Sequence, residues 1–207
     1  MSNLTLHGVP LSGHSHRAEL FLTLLGLDYT YVEAPADVRA GPAFLALNPL
    51  GQVPVLQDGD LVLADSNAIL VYLAKRHDPA GTWLPEAPEA AARVQRWLSI
   101  AAGEVMHGPA AARIIALFKA PDDLDRARRI AARLLPFMDA HLADRSWLAA
   151  DTATIADVAC YSYVAHAPEG GIDLAPYPHI QAWLGRVEAL PRFKPMIRSP
   201  LPEALAS

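Results

Sequence analysis

Leu4-Thr5-Leu6-His7 alternates apolar and polar side chains, the period-2 pattern of a half-buried strand, and Gly8, Pro10 and Gly13 break it. Ala18, Phe21, Leu22 and Leu25 then recur at helical spacing as far as Gly26, which is placed to end the helix as a C′ glycine. The aromatic and β-branched run Asp28-Tyr29-Thr30-Tyr31-Val32 predicts a second strand. A helix between the two strands makes them parallel, so the chain opens as a βαβ unit. Val53 to Gln57 and Leu61 to Ala64 flank Asp58-Gly59, a dipeptide suited to the two positive-φ positions of a type I′ turn, and predict an antiparallel hairpin. Ser66 is expected to cap a helix whose Ile69, Leu70 and Leu73 share one face, ending before Asp78-Pro79. The order β-α-β followed by β-β-α describes a small mixed sheet with helices.

Beyond Pro79-Ala80-Gly81 the pattern changes. Pro79, Pro85 and Pro88 mark a linker, and the chain after it is rich in Ala, Leu, Arg and Glu with a 3.6-residue period and no strand pattern. Helices are predicted at about 89–118, 123–142, 154–166 and 178–190, separated by Pro121, by residues 149–153 and by Pro168-Glu169-Gly170-Gly171. The expected organisation is an α/β domain over residues 1–78 and an all-α domain over 86–207.

The 207 residues are 52% hydrophobic and 19% charged, enough for one large or two small globular cores. The net charge of −5 is uneven: residues 1–80 carry −4 and residues 81–207 carry −1, a second mark of two distinct parts. No basic block could neutralise a run of phosphates, which argues against nucleic acid as a partner. A single cysteine, Cys160, excludes an internal disulfide and a thiolate zinc cage and fits a reducing compartment. The start Met1-Ser2-Asn3-Leu4 has no signal-peptide pattern, and no window approaches the ~18 uninterrupted apolar residues of a membrane span. A cytoplasmic chain without membrane attachment is expected. His14 and His16, two residues apart, suit neither one helical face nor a complete ligand set, so no metal site is expected.

Two stretches carry candidate chemistry. In Asn48-Pro49-Leu50-Gly51-Gln52-Val53-Pro54-Val55-Leu56, Pro54 stands at the start of a strand, where an X-Pro bond is a candidate for cis. A cis bond would turn the N–H and C=O of Val53 outward, free to pair with an extended peptide; a trans proline on an edge strand is the alternative. Asp65-Ser66-Asn67-Ala68-Ile69 opens a helix directly after a strand. Its N–H groups and the Ser66 hydroxyl suit a small carboxylate, with Asp65 available to an ammonium beside it, the two groups of a free amino-acid end. A plain N-cap is the alternative.

Together, Pro49-x-Gly51-Gln52-Val53-Pro54 and Asp65-Ser66-x-Ala68-Ile69 resemble the glutathione transferase superfamily, with its thioredoxin-like first domain and helical second domain. Thr154-Ile155-Ala156-Asp157 is similar to the family's capping box, and Pro178-x-Ile180-x-Ala182-Trp183 with Pro191-Arg192-Phe193 to its C-terminal pattern, so the resemblance covers almost the whole chain. It implies a cis bond before Pro54, a Val53 backbone paired with the cysteinyl unit of glutathione, and Gln52, Asp65 and Ser66 holding the γ-glutamyl end. Arg39, thirteen residues before Gln52, falls where relatives contact the glycyl end; a solvated loop charge is its other reading. Serine-type relatives place the thiol-activating Ser five residues before an Arg, as Ser12 stands before Arg17. Ser12 is therefore the candidate catalytic residue, and Ser15 its rival, which could instead cap the helix. His14, Met106, His107 and Arg113 are candidates for lining an acceptor pocket carried by the helical domain, with helix core as the alternative. The implied function is a cytoplasmic, homodimeric detoxification enzyme with glutathione as co-substrate and no metal, joining the thiol to a small, apolar electrophile. A glutathione-dependent isomerase or peroxidase, or a non-catalytic binding protein of the same fold, are the alternatives.

Overall fold

In the computed structural model, which describes residues 4–201, β1 (Leu4–Gly8), β2 (Tyr29–Glu33), β3 (Val55–Asp58) and β4 (Leu61–Ala64) form one mixed sheet in the order β2-β1-β3-β4. α1 (Gly13–Leu24) returns the chain between β1 and β2, so those strands run parallel, Leu6 opposite Tyr31. β3 lies antiparallel to β1 with His7 opposite Val55, and β4 antiparallel to β3 with Val55 opposite Ala64. This register gathers three chain segments at one end of the sheet: the exit from β1 after Gly8, the entry to β3 before Val55, and the exit from β4 after Ala64. Leu4 and Leu6 of β1, Phe21 and Leu22 of α1, and Ile69, Leu70 and Leu73 of α4 (Ser66–His77) are all buried, as their spacing predicts.

Three local details differ from the sequence reading. Asp58 pairs with Leu61, so the hairpin loop is Gly59-Asp60; only Gly59 has positive φ (+57), the pattern of a type II′ turn and not I′. The cap of α4 is Asp65, whose Oδ1 accepts from Ala68 N at 2.9 Å, and Ser66 is the first helical residue. Finally, α2 (Ala36–Ala40) and α3 (Pro42–Leu47) fill a stretch without an apolar period; of their residues only Phe44 is buried, against Ala34 and Val55.

The helical unit begins with α5 (Pro88–Ile100), which continues through a π-helical segment (Ala101–Ala110) into α6 (Ala111–Phe118). Pro109 lies inside the π-helical segment and brings no N–H to the i−4 ladder, a local reason for the wider winding. α7 (Leu124–Leu142), α8 (Ile155–Ala165), a 3₁₀ turn (Ala167–Gly170) and α9 (Pro178–Glu188) complete it, with no strand among its described residues. Ile155 to Val164 are buried without a break, so α8 runs through the core; Thr154 and Asp157 close its first turn as a capping box.

Two compact units result among the described residues: one runs to Leu84 and takes in Leu190–Ile197, the other is Pro85–Ala189 with residues 198–201. A helical domain reaching from 86 to 207 is thereby corrected, because residues 190–197 pack with the sheet unit. The Lys194 carbonyl bonds to His16 Nε2 at 2.8 Å, and Lys194 Nζ donates to Glu19 at 2.7 Å and to the Tyr29 hydroxyl at 3.3 Å.

Candidate functional site

Where the chain leaves β1, Ser12 is the N-cap of α1: its Oγ accepts from Ser15 N at 3.2 Å, and its own N–H donates to Val9 O at 2.9 Å. Among the described residues the Ser12 hydroxyl hydrogen meets no acceptor, and it lies at the positive end of a 12-residue helix. Ser15 is only 1% exposed and its Oγ accepts from Val9 N at 3.1 Å. The reading of Ser15 as the helix cap is corrected: Ser12 caps, and Ser15 braces the loop from inside.

At the entry to β3 the Val53–Pro54 bond is cis. Among the described residues neither the N–H nor the C=O of Val53 has a hydrogen-bond partner. The preceding loop is fixed by buried Asn48, whose Nδ2 donates to Gln52 O at 2.9 Å and whose Oδ1 accepts from Leu50 N at 3.1 Å. Gly51 turns the loop at φ +62, a conformation that favours glycine. Arg39 is half-buried against this loop, its Nη1 3.4 Å from Gly51 O, while Gln52 is exposed.

At the exit from β4, Asp65 holds φ 74 and ψ 122, unusual for a residue with a side chain and costing about 1–3 kcal/mol. Beside it the buried Ser66 hydroxyl receives Arg17 Nη1 at 2.8 Å, and the same nitrogen donates to Asn67 Oδ1 at 2.8 Å. His14 Nδ1 lies 3.2 Å from the same Ser66 oxygen. Burial first, and then the Arg17 charge, lower the His14 pKa to about 3, so the ring is neutral at physiological pH. The sheet thus brings Ser12, His14, Gln52, Val53, Asp65 and Ser66 to one end, with Arg39 behind the loop. Sequence reasoning gave no role to Arg17 or Asn48 in shaping this end. An arginine inside the buried stripe of α1 is the signal for the first; the second gives none beyond an asparagine before proline.

Residues 11–76 match the family model described as "Glutathione S-transferase, N-terminal domain", and residues 85–191 match "Glutathione S-transferase, C-terminal domain". The chain belongs to the glutathione S-transferase family. This glutathione S-transferase is similar to Glutathione S-transferase 3 of Zea mays, 36% identical over 220 residues that span 98% of this chain and 97% of that one. Its fold is similar to that of a glutathione S-transferase from Pseudomonas fluorescens, at TM-score 0.86 and 34% identity over 94% of this chain and 98% of that one. It is also similar to a glutathione transferase homolog from Drosophila mojavensis solved with bound glutathione, at TM-score 0.83 and 26% identity over 92% and 90% of the two chains.

In the helical unit of this glutathione S-transferase, the residues expected to line an acceptor pocket separate. Arg113 is 1% exposed and its Nε donates to Glu169 Oε2 at 2.6 Å, so it lines no open cavity and instead ties α6 to the 3₁₀ turn. The other oxygen of Glu169 takes His166 Nδ1 at 2.5 Å and Ser199 N at 3.0 Å. His107 lines a groove of about 530 Å³ between the π-helical segment and α7, floored by Ile130, Leu134 and Phe137 and edged by Arg96, Arg126 and Arg133. Met106, one residue earlier, is half-buried and outside that lining. His14 belongs to the sheet unit and is turned toward Ser66. Among the described residues no three His, Cys, Asp or Glu side chains form a group that could hold a metal ion, and no helix is long and apolar enough to cross a membrane.

Proposed function

We propose that the protein is a glutathione transferase in which Ser12 ionises the glutathione thiol. The Val53 N–H and C=O pair with the cysteinyl unit. Asp65 holds the ammonium of the γ-glutamyl group, Ser66 and the N-terminus of α4 hold its carboxylate with Gln52 beside them, and Arg39 meets the glycyl carboxylate. The observation that carries this reading is the Ser12 hydroxyl, whose oxygen is already engaged as the cap of α1 while its hydrogen is uncommitted. A thiol near pKa 8.5 is only a few per cent ionised at neutral pH, and bringing it to about 6.5 requires about 2.7 kcal/mol of thiolate stabilisation. A hydrogen bond to a charged acceptor contributes about 1.5–3 kcal/mol and a helix N-terminus about 0.3–1 kcal/mol, so Ser12 and α1 together are sufficient. The thiolate attacks an electrophilic carbon of a small, apolar acceptor: the sulfur–carbon bond forms, and the leaving group departs with the electron pair of the bond that breaks.

The sheet unit carries glutathione and the helical unit the acceptor, with Met106 and His107 as its contact candidates; the enzyme works as a cytosolic homodimer in detoxification. The test is titration of the ultraviolet thiolate band of the glutathione complex in the wild type, Ser12→Ala and Ser15→Ala. The wild type is expected to ionise well below the free thiol, Ser12→Ala to lose that shift and Ser15→Ala to keep it. Glutathione bound with an unshifted thiol in the wild type would make the protein a binder and not a transferase.

A further inference from the structure

The Ser66 hydroxyl has one hydrogen and two lone pairs. One lone pair is taken by Arg17 Nη1 at 2.8 Å, and the second faces His14 Nδ1 at 3.2 Å. Arg17 is 1% exposed and Ser66 3% exposed, and Arg17 Nη1 also holds the Asn67 side chain at 2.8 Å, so the first turn of α4 is pinned to α1 by a buried guanidinium. We propose that Arg17 and His14 are positioning residues that make the Ser66 hydroxyl a dedicated donor for the α-carboxylate of the γ-glutamyl group: Arg17 fills one lone pair, His14 with its proton on Nδ1 fills the other, and the hydrogen has only the ligand to go to. This rests on the reading of Ser66 as the carboxylate contact. His14 is neutral, its pKa being lowered, so the role of Nδ1 is set by which of the two tautomers the ring adopts, and only the one with its proton on Nδ1 fills the lone pair. In the opposite tautomer, Nδ1 would accept the Ser66 hydrogen and leave the hydroxyl nothing to offer a carboxylate.

Two measurements test this. Calorimetry compares glutathione with an analogue that lacks only the α-carboxylate of the γ-glutamyl group. The wild type is expected to prefer glutathione by roughly 10-fold or more, the range of a charge-assisted hydrogen bond. Arg17→Gln is expected to lose most of that preference, because the hydroxyl can rotate once its lone pair is freed. Equal binding of the two ligands by the wild type would refute Ser66 as the carboxylate contact. Full preference retained by folded Arg17→Gln would refute the positioning role alone, since a purely structural arginine would weaken both ligands alike. Independently of any variant, the ¹⁵N shifts of the His14 ring in the wild-type glutathione complex report its tautomer. Protonated Nδ1 is expected, and a proton on Nε2 alone overturns the inference even if Arg17→Gln does not fold.

Discussion

Replacing Asp157 separates a helix cap from a structural hub. Its Oδ1 accepts from Leu148 N at 3.0 Å and from Trp183 Nε1 at 2.9 Å, and its Oδ2 from Thr154 N at 2.9 Å and Thr154 Oγ1 at 3.1 Å. Four donors and no acceptor surround a carboxylate that is 0% exposed; burial works to raise its pKa and the donors work against that. The carboxylate therefore ties the segment before α8, the first turn of α8 and the tryptophan of α9 together. In Asp157→Asn, one end of the side chain becomes an NH₂ group facing two donors. Losing two hydrogen bonds to a charged group, each about 1.5–3 kcal/mol, less the relief of no longer burying a charge, predicts a loss of about 2–4 kcal/mol. Thr154→Ala removes the cap on Ala156 N and one of the four donors while leaving the other three, and should cost about 1–2 kcal/mol. The assay is urea unfolding of both variants and the wild type, followed by far-ultraviolet circular dichroism and tryptophan fluorescence, with coincident curves as the check on two-state behaviour. If Asp157→Asn costs no more than Thr154→Ala, the hub does not exist as an energetic unit and Asp157 is a capping residue only.

Gly170 touches the backbone of α6: a Cβ there would lie 2.6 Å from Arg113 N and 2.8 Å from the Ala112 carbonyl carbon. Gly170→Ala should therefore lower stability by at least about 1–3 kcal/mol in urea unfolding, and an unchanged midpoint would show that the 3₁₀ turn can withdraw without penalty. Burial alone would raise the Glu169 carboxyl, but hydrogen bonds from Ser199, His166 and Arg113 and the Arg113 charge bring its pKa below the ordinary 4.5. A carboxylate with a lowered folded-state pKa contributes stability that is fully present above its unfolded value and lost as pH falls through the folded one. Glu169→Gln should thus cost about 3–5 kcal/mol at neutral pH by removing the carboxylate charge that meets buried Arg113, and its stability should fall less steeply than that of the wild type below pH 4.5. Parallel pH profiles from urea midpoints would refute the assignment.

The sheet was legible because β1 alternates with a period of 2, β2 is an aromatic and β-branched run, and β3 and β4 are short runs joined by a glycine turn, and the motifs that carry the family resemblance were legible because they are contiguous. What was not legible depends on partners far along the chain. Arg17 meets Ser66 and Asn67 at separations of 49 and 50 residues, and Arg113 meets Glu169 at 56; neither pairing leaves a local trace. Arg113 therefore read as a polar residue on a helix, free to face a ligand, when its charge is enclosed and neutralised. That Ser12 and not Ser15 caps α1 has a different cause. A cap accepts from an N–H three residues on, so two serines at that spacing offer alternative helix starts, and the choice falls to the loop packing that buries Ser15. α2 and α3 escaped notice because a single anchor, Phe44, cannot display a period.

Residues 190–197 join the sheet unit although more than a hundred residues separate them from Leu84. On the ribosome, the sheet and its first helices emerge early and the whole helical unit follows before Lys194 is made. Until then, Glu19 and Tyr29 have no lysine to meet and the His16 ring has no Lys194 carbonyl. The sheet unit of this enzyme is thus completed by residues translated only after the whole helical unit, and a nascent chain released between the two stages carries that sheet unit unfinished.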